Sequence, residues 1–103
     1  MSARLAQLRK MLEKSPRDPF LLYGVALELK KAGDLRTALE YLDRTLAIDA
    51  DYMYAYFQKG QILETVGQPN DAKLAYDAGI KRAQAAGDAK ALGELTGARE
   101  MLD

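Results

Sequence analysis

KKAGDLRTALEYLDRTL, residues 30–46, and ETVGQPNDAKLAYDAGI, residues 64–80, align without a gap. Gly33 falls on Gly67, Ala38 on Ala72, Leu42 on Tyr76 and Leu46 on Ile80, each a step of 34. Upstream, the same step carries Leu22 onto Tyr56, Ala26 onto Gly60 and Leu29 onto Leu63. Seven matched positions at one offset mark an internal repeat, and self-similarity at a fixed period is the signature of a repeat architecture.

Each unit reads as two helices joined by a tight turn. In the first, Asp18 is placed to cap a helix and Pro19 sits in its first turn, where the missing N–H costs nothing. Leu22, Val25, Ala26 and Leu29 then form an i, i+3, i+4, i+7 stripe. Gly33 ends that helix and Asp34 caps the next, which turns Ala38, Leu42, Thr45 and Leu46 inward. The second unit runs Tyr56, Gly60 and Leu63, then Gly67, then Pro69 at a helix start, then Ala72, Tyr76, Gly79 and Ile80. Small residues (Ala26, Ala38 and Thr45; Gly60, Ala72 and Gly79) stand where two helices approach closely, with large ones on either side. The pattern predicts helices over 2–14, 19–32, 35–48, 52–66, 69–84 and 88–101. Asp49 and Asp51 read as the end of one helix and the cap of the next.

Composition narrows the function. The chain has 103 residues, 49% of them hydrophobic, with 15 basic residues against 15 acidic. This is a globular composition with no net field, which argues against nucleic acid as a main partner. Residues 1–17 are locally basic, with Arg4, Arg9, Lys10, Lys14 and Arg17 against Glu13, and read as a solvated helix face. Cysteine and histidine are both absent, so disulfides, thiolate metal sites and the commonest general base are absent too. The longest apolar run, FLLYGVAL at 20–27, is too short to cross a bilayer and too deep to be a signal sequence. The expected compartment is the cytosol.

A 34-residue helix–turn–helix with these small and large positions resembles the tetratricopeptide repeat (TPR). The resemblance covers two full units, 19–52 and 53–86. A partial one precedes them: Leu5, Leu8 and Leu12 step by 34 onto Leu39, Leu42 and Leu46, and Pro16 onto Ala50. Residues 2–16 thus look like a second helix without its first. The tail, 87–103, opens with another Gly-Asp turn and continues through Leu92, Leu95, Ala98 and Leu102 as the terminal cap that such stacks require. The resemblance implies one all-α domain, 1–103, of antiparallel hairpins stacked as a short right-handed superhelix, an α-solenoid. Two features depart from the pattern. Lys59 occupies an apolar position, its stem covering the core while its ammonium reaches water. Gly93 and Gly97 lie inside the last helix, each costing about 1 kcal/mol against alanine, so that helix should be the least stable.

In the family, the first helix of each unit lines a concave surface that holds extended peptides or partner helices. Carried over by position, the lining here is Phe20, Tyr23, Leu27, Lys30, Tyr54, Phe57, Gln58, Gln61 and Glu64. Residues two apart on a helix point roughly 200° away from each other, so Tyr54 and Tyr56 cannot share a face. Tyr56 is assigned to the core and Tyr54 to the groove. Aromatics give large contact area with few torsions to freeze, and amides can bond a ligand's backbone. The structural alternative is that these residues pack between neighbouring first helices or under the terminal ones. One TPR subclass clamps the carboxylate of chaperone tails with lysine, arginine and asparagine. The matching positions here carry Tyr23, Leu27 and Gln58, so that chemistry is lacking.

The expected function is a non-catalytic protein-interaction module or small adaptor that binds a protein or peptide partner, with no cofactor, metal, membrane or nucleic-acid partner. No GxxxxGK[ST], GxGxxG or GxSxG is present. Asp49 and Asp51 begin like a calcium loop, but Met53 and Tyr54 stand where an oxygen ligand and the sharp-turn glycine belong. RNA-reading helical repeats are basic along the groove, whereas this lining sets Lys30 against Glu64. The alternative is self-association as a homodimer through Leu5, Leu8, Met11 and Leu12 at one end or Leu92, Leu95, Met101 and Leu102 at the other.

Overall fold

The computed structural model describes residues 2–102; residue 103, the expected end of the capping segment, lies outside them. Among the described residues there are six α-helices and no strand: α1 Ala3–Lys14, α2 Pro19–Lys31, α3 Leu35–Ile48, α4 Met53–Thr65, α5 Pro69–Ala86 and α6 Ala89–Glu100. The chain divides between Asp49 and Ala50 into two compact units.

In the first unit, α2 packs against both α1 and α3. The Asp18 carboxylate accepts from the Phe20 N–H at 2.9 Å, and Pro19 follows in the first turn. The expected stripe is fully enclosed: Leu22, Val25, Ala26 and Leu29 are at most 4% exposed, as are Ala38 and Leu42 across the turn. Burial of each large aliphatic side chain here contributes about 1.5–3 kcal/mol. Thr45 is buried as well, and its hydroxyl donates to the Tyr41 carbonyl at 2.8 Å, so no polar atom is stranded.

The turn after α2 is closed by two bonds, Gly33 N–H to the Lys30 carbonyl and Asp34 N–H to the Leu29 carbonyl. That pairing needs a left-handed residue, and Gly33 supplies it at φ 85°. Asp34 then caps α3 by accepting from Thr37 N–H. The same two bonds recur after α4, from Gly67 to Glu64 and from Gln68 to Leu63, and after α5, from Gly87 to Gln84 and from Asp88 to Ala83.

A second buried stripe on α2, made of Leu21 and Glu28, lay outside the sequence reading. Gly24 meets Leu8 of α1: a Cβ there would stand 3.3 Å from Leu8 Cδ1. The Glu28 carboxylate accepts from the Ser2 hydroxyl at 3.0 Å and pairs with Lys31 at 3.2 Å. Ser2 also caps α1 by accepting from Leu5 N–H. One hydroxyl thus joins the start of α1 to the end of α2.

In the second unit, α4 packs against α5, and α6 packs on both. Gly60 lies against the ring of Tyr76, which is 0% exposed and donates its hydroxyl to the Glu64 carboxylate. Gly79 receives Tyr56 from α4 and Leu95 from α6, whose atoms would lie 2.8 and 3.1 Å from a Cβ at that position. Tyr56 is half-buried rather than enclosed, because its hydroxyl reaches the Ala50 carbonyl at 2.6 Å. Asp51 does not cap α4. The N-cap is Tyr52, without a side-chain bond, and Asp51 pairs instead with Arg82 of α5 at 3.3 Å. That exposed pair is worth at most about 1 kcal/mol. Neither Gly93 nor Gly97 has any neighbour within 4 Å of a built Cβ, so neither marks a close helix contact.

Candidate interaction surface

The outward stripe of α2 holds Phe20, Tyr23, Leu27 and Lys30, at spacings of three, four and three residues that keep them on one side. Phe20 is 63% exposed, a large aromatic left to solvent, while the other three are half-buried. Burial holds the Lys30 ammonium below its ordinary pKa. Tyr23 and Lys30 each engage other groups of the protein, so the stripe is a supported surface with one protruding ring.

On α4 the corresponding residues are Tyr54, Phe57, Gln58, Gln61 and Glu64, of which only Glu64 is exposed and the rest are half-buried. The Phe57 ring stands 6.3 Å from that of Tyr76, tilted by 50°, within the range of aromatic contact. Phe57 is therefore partly packed into its own hairpin. Tyr54 is engaged by α6: burial first, then the Glu94 carboxylate it bonds and the nearby Asp88, raise its hydroxyl above the ordinary range. Glu64 accepts from Tyr76. Gln58 and Gln61 engage other groups of the protein as well, so intramolecular work reaches every residue of the α4 stripe and fewer of the α2 stripe. The signal for Tyr54 was present in the sequence as Glu94 on an amphipathic last helix, but its register against α4 was not.

The geometry is that of a protein built from helical hairpins with repeated small-against-large contacts and repeated glycine turns. No protein-family model matches the chain. A TPR repeat-containing protein of Pseudomonas aeruginosa is 30% identical over 96 residues, covering 93% of this chain and 91% of that protein. The solution structure of a tetratricopeptide repeat domain protein from Salinibacter ruber superposes with a TM-score of 0.81 at 32% identity, over 85% of this chain and 89% of that one. A protein from Bordetella parapertussis gives 0.85 at 25% identity, over 99% of this chain and 89% of that one. The chain belongs to the tetratricopeptide repeat family. It is a helical repeat of the protein-interaction kind, and the family is typically a non-catalytic scaffold. Among the described residues, no helix is long and apolar enough to cross a membrane.

Proposed function

We propose that the chain is a small non-catalytic adaptor that holds a peptide or partner helix on the outward stripe of a first helix, each unit offering its own. Phe20 carries this reading. A ring 63% open to water, beside half-buried Tyr23 and Leu27, costs solvation in the free protein and offers apolar area to a partner. On α4, Gln58 and Gln61 already engage other groups of the protein, so a ligand's main chain would share or exchange those contacts, and Phe57 supplies part of an apolar face.

The test compares intact protein with a Phe20→Ala/Tyr23→Ala variant in affinity capture from a lysate, with thermal melts of both. A partner retained by the intact protein and lost by a variant that melts at a similar temperature supports the proposal. Equal retention by both excludes the α2 stripe as the binding surface. If both elute as concentration-dependent dimers in light scattering and capture nothing else, self-association replaces it.

A further inference from the structure

The α1 helix carries two stripes. Leu5 and Leu8 are buried, with Leu12 half-buried beside them. On the opposite side, Gln7, Lys10, Met11 and Lys14 repeat the i, i+3, i+4, i+7 spacing and together line a shallow hollow. Met11 is 47% exposed at its centre. Lys10 and Lys14 stand one turn apart beside it, with the Gln7 amide a turn earlier. From residue 2 to residue 17 the only carboxylate is Glu13, against Arg4, Arg9, Lys10, Lys14 and Arg17.

We propose that this outer face of α1 is a second docking surface, for an acidic amphipathic helix that sets an apolar side chain on Met11. Two ammoniums about one turn apart match two carboxylates one turn apart on a partner helix. The thioether between them is soft and adaptable, suited to an apolar side chain of variable shape. Complementary charge around an apolar centre gives the rapid, salt-sensitive association typical of such contacts. The surface shares no residue with the α2 and α4 stripes and does not depend on their role.

Charge and composition argue against other occupants. A second copy meeting α1 with its own α1 brings two strongly basic faces together. Single-stranded nucleic acid is held by aromatic stacking as well as charge, and residues 2–17 contain no aromatic. A membrane surface demands a broad apolar face on an interfacial helix, and here Met11 stands alone among polar neighbours.

The experiment is fluorescence anisotropy on the full chain. The probe is a labelled synthetic helical peptide of glutamate and leucine, with glutamates one turn apart around each leucine. The comparison ligands are the same peptide with glutamine for glutamate, oligothymidylate, and vesicles of phosphatidylcholine and phosphatidylserine in equal parts. The acidic peptide is expected to bind in a salt-dependent way, about tenfold more weakly to Lys10→Glu/Lys14→Glu and by an intermediate amount to Lys10→Gln/Lys14→Gln. Met11→Ser weakens it about threefold, while Tyr23→Ala leaves it unchanged. Thermal melts of the glutamine pair, whose side chains are exposed, match the parent. Equal binding of the glutamine peptide, indifference to both lysine variants, or loss of binding with Tyr23→Ala overturns the proposal. So does lysine-dependent binding of the oligonucleotide or the vesicles without the peptide.

Discussion

A Cβ built on Gly60 falls 2.2 Å from Cε1 of Tyr76 and 2.5 Å from its Cζ. The equivalent positions in the first hairpin, Ala26 and Leu42, are both at most 1% exposed. The second hairpin has moved volume from one side of the contact to the other, removing a methyl from α4 and adding a ring on α5. Gly60→Ala alone is expected to cost about 1–3 kcal/mol through overpacking, since the enclosed ring has nowhere to turn. Gly60→Ala/Tyr76→Leu restores the combination of the first hairpin and should be more stable than the sum of the single changes predicts. Urea denaturation of the double-mutant cycle measures that coupling, expected at about 0.5–3 kcal/mol. Strict additivity removes the explanation.

The last helix offers room for improvement. Nothing stands near Gly93 or Gly97, so alanine adds helix propensity without a clash. Each of Gly93→Ala and Gly97→Ala should raise stability by up to about 1 kcal/mol. Hydrogen exchange in the parent should show α6 amides as the least protected, and protection there should rise in the double variant.

Acid should loosen the junction of α1 and α2. Burial raises the Glu28 carboxyl, but hydrogen bonds from Lys31 and Ser2 and the charges of Lys31 and Arg4 outweigh it, so its pKa falls below the ordinary 4.5. A folded pKa below the unfolded one contributes stability that is present above 4.5 and is lost as pH falls through the folded value. Glu28→Gln should lower stability at neutral pH and flatten its decline below about 4.5. Urea midpoints of parent and variant along a descending pH series check this. Parallel curves would sink the assignment.

Tyr54 and Tyr56 differ in what they anchor. Tyr56 packs its Cβ on Gly79 and bonds the Ala50 carbonyl, so Tyr56→Ala should cost about 3 kcal/mol, the low end for a large aromatic truncation. Tyr54→Ala should cost less, and its effect should be local to α6 through loss of the Glu94 contact. Thermal melts rank the two, and hydrogen exchange in α6 locates the second.

The helices were legible because punctuation and period agree. Pro19 and Pro69 open helices, Gly33, Gly67 and Gly87 close them, and the step of 34 fixes which residues correspond. What stayed hidden has a common cause. A helix in contact with two neighbours buries two stripes, whereas a periodicity search follows the more apolar one. Leu21 and Glu28, and in the second unit Ala55 and Ile62, belong to the other stripe. Glu28 escapes notice because a carboxylate is not expected inside until its partners, Ser2 and Lys31, are seen. Asp51 misled because an aspartate just before a helix reads as a cap, and only the fold brings Arg82 within reach of it. Tyr54 was assigned to the groove, and its bond to Glu94 was hidden because it depends on the placement of α6.

Tyr76 also gives the protein a built-in optical label. The chain has no tryptophan and six tyrosines, so its near-ultraviolet emission comes from phenol rings with no indole to drain it. A phenol that donates to a carboxylate passes its excited-state proton across the bond and glows weakly. Tyr76 is placed for this beside Glu64 and Tyr54 beside Glu94, both within the second unit. In the first unit, the Tyr41 ring lies instead under the Arg44 guanidinium, 4.7 Å from its centre. Tyr41 and Tyr76 thus sit in chemically different settings. Opening of the second unit is expected to brighten the Tyr54 and Tyr76 rings, so that tyrosine emission would report its unfolding without an attached dye.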